Sequence, residues 1–431
     1  MRCRIAYAGL VGSALTLAFS EPGCALRVGA GAPSSSGNPP ADAGADVQAA
    51  TKIAGDGGFS CAPDGNEQKL PFGTGTDAFA WAWDTDHYVV VYVDPTQGNG
   101  GDIYVATLAA DGSMRTAPVA VDVTPGASDL PSLVKTSQGY VVVWEEGTAG
   151  QSIYVHALGS DGSSPVGSGV SIGTTQVSDA RPVISTAPGG ETAVVWKDEF
   201  NGIPGVDFAL LNPDPSSFAV TGPQRIPAND QASWPWVAGD DQVIGMLWSD
   251  LSSNDDAATP AYEIEFSPVD AQSLSAPSIS DLPADGPFNQ QLGRMVRTSF
   301  GFIAAWEDEE SDGGENQIQM AFLDSGGSVQ KNGLVEQPHT GDANWPNIAW
   351  TGSYAGIVYY QWRTGLPQVY MTFFDSMGSR AAPTDMQISD GTKGGARFPD
   401  VVWTGTEFGV MYIDTRDGQP ELWMHRVQCT G

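Results

Sequence analysis

Four histidines, His87, His156, His339 and His425, are scattered along the 431 residues, and no His-Glu-x-x-His pair puts two imidazoles on one helix face for zinc. No Gly-x-Ser-x-Gly elbow presents a serine nucleophile. Carboxylates are the abundant reactive group, with 51 Asp and Glu against 19 Lys and Arg. A pair could cleave a glycosidic bond if held about 5 to 10 Å apart, but spacing along the chain does not encode that separation. The sequence therefore leans away from an enzyme, and no catalytic residue is assigned.

Two sets of side chains could bind rather than react. An acidic residue recurs at Asp94, Glu146, Asp198, Asp250, Asp308 and Asp414, with Gln361 in the same place of one further copy. A ring of carboxylates could draw cations; the reading favoured here is that each caps its own loop by accepting backbone N–H bonds, as Asp does in turns. The second set, Arg181, Trp234, Trp345, Arg397 and Phe398, mixes aromatic faces with guanidinium groups, a surface suited to stacking sugars or gripping peptides. Its competing reading is packing, since Pro follows four of the five and stiffens the chain there. The loop 249–256, SDLSSNDD, is the place to look for Ca²⁺, yet it lacks the EF-hand spacing and reads first as a solvated acidic loop. No cofactor and no metal ligand is expected.

The formal charge of −32 would repel a phosphate backbone or an anionic lipid surface, so nucleic acid is excluded as a partner. The charge serves solubility outside the cell.

The elements that must position these residues are short strands. Gly (53), Pro (30) and 10% aromatic residues, with 16% charged, suit tight turns and β-structure better than helices. Seven aromatic anchors, Tyr92, Trp144, Trp196, Trp248, Trp306, Tyr359 and Tyr412, close apolar runs such as YVVVW and FGVMY at intervals of 52 to 58 residues. Before most anchors lies an entry of the form LPSLV, RPVIS, WPWVA, WPNIAW or FPDVVW, and after them runs such as SIYVHAL and ELWMHRV, with Asp-Gly turns and a shorter fourth run. Four antiparallel strands in about 50 residues is the size of a propeller blade, which buries its faces only against its neighbours. The expectation is an all-β, seven-bladed β-propeller over residues 61–431, with four-stranded blades. The last copy stops after its third strand, at Val427, and the run EQKLPFGTG (67–75) precedes the first copy, so an N-terminal strand should complete the C-terminal blade.

Ring closure of that kind sets Cys61 beside Cys429 and predicts a disulfide between them. Arg2 and Arg4 before the apolar run Ile5 to Phe19 predict a secretory signal over 1–23 and an extracytoplasmic protein. Cleavage falls before Glu21 or before Cys24. Removing Cys3 with the signal leaves three cysteines; lipid on Cys24 would let the other two pair, and a Gly-Cys step ends the signal, although Glu21 and Pro22 depart from the usual lipoprotein pattern. Residues 24–60, rich in Gly, Pro and Ser, are expected to be a disordered tether. Membrane contact is expected only through Cys24, on an outer-membrane or surface lipoprotein, or not at all if the protein is secreted.

In its cleanest copy, FPDVVWTGTEFGVMYIDTRDGQPELWMHRV, the chain resembles the secreted, lipoprotein-like seven-bladed propellers of bacteria. It lacks the Gly-His and Trp-Asp pair of WD40 repeats, the double glycine of kelch and the sialidase Asp box. The resemblance implies an architecture that hosts binding scaffolds and enzymes alike. The functional expectation is a monomeric, non-enzymatic propeller that binds protein, peptide or glycan through one face. The alternatives are a carbohydrate-active hydrolase or lyase with carboxylates at the channel mouth, and a structural component of the envelope.

Overall fold

A computed structural model describes residues 53–54 and 59–430, apart from loop positions 99, 125, 148–150, 178, 201–202, 213–217, 227–231, 253–260, 273–274, 277, 284–287, 311–313, 337–340, 364 and 392–393. The expected signal, Cys24, most of the expected tether and half of the 249–256 loop, 253–256, lie outside these residues; 249–252 end the strand Ile244–Ser252.

Each copy folds into one antiparallel sheet in chain order. Blade 2, for example, runs Ser128–Thr136, Gly139–Glu146, Gln151–Leu158 and Pro165–Thr175. Six sheets have four strands, and the seventh has five. The chain is a seven-bladed β-propeller. The first strands of successive blades pack against one another around the ring, Ala396–Trp403 of blade 7 meeting Phe79–Asp84 of blade 1, so these strands line the axis.

The anchor column explains why the ring forms. Each second strand is covered on both faces, and Gly139–Glu146 is buried along its whole length; that is why its sequence runs apolar without alternation. The buried apolar side chains form seven clusters, and each cluster joins two neighbouring blades. Each interface holds one anchor: Tyr92 between blades 7 and 1, Trp144 between 1 and 2, Trp196 between 2 and 3, and so on to Tyr412 between 6 and 7. No blade therefore has a core of its own, and burial becomes complete only when the ring closes.

Closure follows the expected strategy with a different register. The strand that completes blade 7 is Ser60–Lys69, paired with Glu421–Thr430, rather than 67–75. The correction has a physical reason: this is the outermost strand, exposed over much of its length, and its sequence SCAPDGNEQK carries no apolar alternation to announce it. The C-terminal strand likewise runs beyond Val427 to Thr430. Within the stretch read as tether, Ile53–Ala54 adds a fifth strand at the edge of this blade. Cys61 and Cys429 face each other in the ladder and are joined by a disulfide.

Candidate functional site at the end of the axis

The first strands share a backbone irregularity. Leu130, Arg181, Trp234, Leu292, Trp345 and Phe398 occupy the same place in blades 2 to 7, and all six have φ between 45° and 56°. This left-handed region costs an ordinary L-residue roughly 1–2 kcal/mol, and none of the six is Gly or Asn. In blades 2, 4, 5, 6 and 7 the strand pairing shifts register at this point, as between Asn344 and Asn347, the mark of a β-bulge. Blade 1 pairs straight through, with Phe79 opposite Tyr92. The bulge breaks the alternation of the strand and re-aims its side chains.

The consequence is contact between blades that are not neighbours. The guanidinium of Arg181, in blade 3, lies 5.4 Å from the ring centre of Trp345, in blade 6, and that of Arg294, in blade 5, lies 5.2 Å from the same ring. Blades 3 and 6 can meet only across the axis. Arg294 also lies 4.5 Å from the ring of Trp236, whose indole N–H donates to the Met295 carbonyl at 2.8 Å. From Trp345 the aromatic contacts continue edge-on to Phe398 at 4.9 Å, to Tyr360 at 5.9 Å and to Trp362 at 5.3 Å, which carries the Arg397 guanidinium at 5.3 Å.

Four of the five residues singled out in the sequence, Arg181, Trp345, Phe398 and Arg397, thus belong to one connected group. Trp234 stands apart, edge-on to Tyr262 of its own blade at 5.8 Å. The group also recruits residues that the sequence did not single out: Arg294, Trp236, Tyr360, Trp362, Glu145, Glu307, Asp400 and Lys197. A signal for several was present. Two residues past the left-handed position, blades 2 to 7 read Ser132, Val183, Trp236, Arg294, Asn347 and Asp400, a column that varies where the rest of the blade repeats. The residue after each anchor varies in the same way: Val93, Glu145, Lys197, Ser249, Glu307, Tyr360 and Ile413.

Two of these carboxylates fasten blades together. Glu145 accepts the Ala180 N–H of blade 3 at 2.8 Å, and Glu307 accepts the Trp345 N–H of blade 6 at 2.7 Å. Burial raises both to about 7 and Asp400 to about 6. Asp400 accepts the Val401 N–H at 2.7 Å. On the cationic side, burial first and Arg181 second lower Arg294 to about 10, and burial lowers Lys197. The recurring acidic column caps its own loop in two blades, where Asp94 accepts the Thr96 N–H and Asp414 the Arg416 N–H; elsewhere it ties other elements together, Glu146 accepting from the Ser128 hydroxyl and Trp144 indole and Asp198 from the Gln176 N–H. Among the described residues no group of three His, Cys, Asp or Glu is placed to hold a metal.

Glu145 makes a pH test. Folded, it keeps its proton up to about pH 7; unfolded, it loses it near 4.3. Between those values the folded state binds more protons, so this group lowers stability as pH rises through that window. Glu145→Gln, whose amide oxygen can still accept from Ala180, is expected to stabilise the fold at pH 8 by on the order of 1–3 kcal/mol and to leave it unchanged at pH 4. Denaturant midpoints of both proteins at the two pH values check this; an equal effect at both would refute the assignment.

No family model matches the chain, and no curated protein is similar to it. Solved structures do share its shape. A fungal alcohol oxidase of the AA5 family, in complex with copper, overlays 84% of this chain and 76% of its own at 15% identity, with a TM-score of 0.52. The β-propeller domain of the Trilobed protease of Pyrococcus furiosus overlays 81% and 94% at 8% identity and 0.48. An α-L-arabinofuranosidase of Fusarium graminearum overlays 70% and 93% at 10% identity and 0.48. At such identities the likeness is one of fold, and a shared fold does not carry a function with it.

Proposed function

We propose that this protein is an exported, non-enzymatic binding propeller that takes its ligand at the end of the axis built around Arg181, Trp345, Phe398 and Arg397. The observation that carries the reading is the set of bulky residues held in left-handed backbone at six equivalent places. Strain of that kind persists where the side chains it aims are needed, and here it aims three blades at one spot. The partner is a protein, peptide or glycan. Export is supported by the charged and apolar start of the sequence and by the disulfide joining Cys61 to Cys429, since such bonds endure in oxidising compartments. Lipid on Cys24 would tether a monomer to the outer membrane or the cell surface.

The non-enzymatic choice rests on Glu145 and Glu307, whose carboxylates are engaged with the backbone of the next blade. A second reading, a carbohydrate-active hydrolase, draws on Asp400, whose raised proton affinity beside Arg294 is what a general acid needs near neutral pH. A glycan array and a pulldown from envelope extract, each with the wild type and Trp345→Ala, separate the readings. Binding that falls at least about 30-fold in the variant supports the scaffold; turnover of any polysaccharide would establish the hydrolase instead.

A further inference from the structure

Among the described residues, one buried cation of the axis has no ion pair. Arg294 is only 8% exposed, donates one hydrogen bond, to the Gly293 carbonyl at 3.1 Å, and forms no ion pair. Arg181, with a quarter of its side chain exposed, pairs through Nε with Asp179 at 2.8 Å. Both guanidinium groups lie over the ring of Trp345, so two like charges are held close to one face or the other of a single indole. Lys197 stands next to this pair in the blade of Arg181. The nearby acids make their hydrogen bonds to other groups. Glu307 accepts from the Trp345 N–H and, at 3.4 Å each, from the side chains of Gln291 and Asn316; Asp400 accepts from Val401. A protein of net charge −32 has thus buried an arginine beside its axis without an ion pair of its own.

Resting on the binding reading above, we propose that the ligand is an acidic glycan and that one uronate carboxylate pairs with Arg294 and Arg181 where both meet Trp345. A planar carboxylate matches the fork of a guanidinium, and a single negative charge satisfies both cations without bringing a multiply charged group into an acidic protein. The side chains of blades 3 and 6 meet across the axis, and the ligand is taken up from the end at which they meet. From the cations outward, Trp345, Phe398, Tyr360 and Trp362 form a continuous aromatic run against which further sugar rings can lie. That run favours a glycan over a peptide, for which the mouth would have to supply ladder hydrogen bonds.

The test uses the whole exported protein and a panel of uronate oligosaccharides (galacturonate, guluronate and glucuronate-containing), each beside its carboxyl-reduced neutral counterpart at equal ionic strength. A member of the uronate panel is expected to bind, with its neutral counterpart at least about 10-fold weaker. Arg181→Gln should remove that preference. Arg294→Gln should remove it too, and where that variant does not fold, Arg181→Gln decides. Equal binding of acidic and neutral forms, an unchanged preference in Arg181→Gln, or no uronate binding at all would overturn the proposal. Tighter binding of peptides ending in a free carboxylate would overturn the glycan assignment while keeping the cation site. Loss of all array and pulldown binding, with or without charge, would instead defeat the underlying binding reading.

Discussion

Replacing Cys61 and Cys429 together with serine is expected to lower stability by about 2–5 kcal/mol, read as a shift of the denaturant midpoint against the wild type under oxidising conditions. The bond spans 368 residues, and the chain-entropy model for so long a loop gives an upper value of about 6 kcal/mol. The lower range is the expected one because the strand ladder from Ser60 to Lys69 holds the same ends together without it. The effect should vanish when both proteins are compared under reducing conditions. A double variant as stable as the oxidised wild type would mean that the ladder alone closes the ring.

The second large effect is expected at an anchor. Trp306 is fully buried in the cluster that joins blades 4 and 5, among Leu247, Phe266, Met295 and Phe302. Trp306→Ala removes the largest fully buried side chain of that interface and should cost about 3–5 kcal/mol. Trp403, only partly buried beside Phe408, is the control, and Trp403→Ala should cost clearly less. Chemical denaturation followed by circular dichroism measures both. Equal losses would show that the anchor column is not the principal contact between blades.

How much of this was legible follows from what repeats. The anchors could be read because both faces of the second strand are covered in every blade, which forces one residue type into one place seven times. The closing strand was misplaced by several residues because a half-exposed outer strand needs no apolar pattern, and only its partner sets its register. The site was legible in part for the same reason. Arg181, Trp345, Arg397 and Phe398 drew notice because a proline follows three of them and Arg397 stands just before the third, Phe398. Arg294 escaped because its blade reads Leu-Gly-Arg, with glycine in place of that proline. The meeting of Arg181 with Trp345 could not be read at all, since it is a product of ring closure between two blades far apart in the chain.

The closing strand also fixes when the molecule can become whole. Ser60–Lys69 precedes blades 1 to 6 in the chain, and its partner Glu421–Thr430 follows them. A nascent chain can therefore stack blades 1 to 6 in turn, but Ser60–Lys69 must wait, with its backbone groups unmatched, until Glu421–Thr430 has been made. The order of synthesis and the order of assembly are thus opposed at one seam. A circularly permuted chain opened between blades 3 and 4, with the old ends joined, would move that seam to another interface.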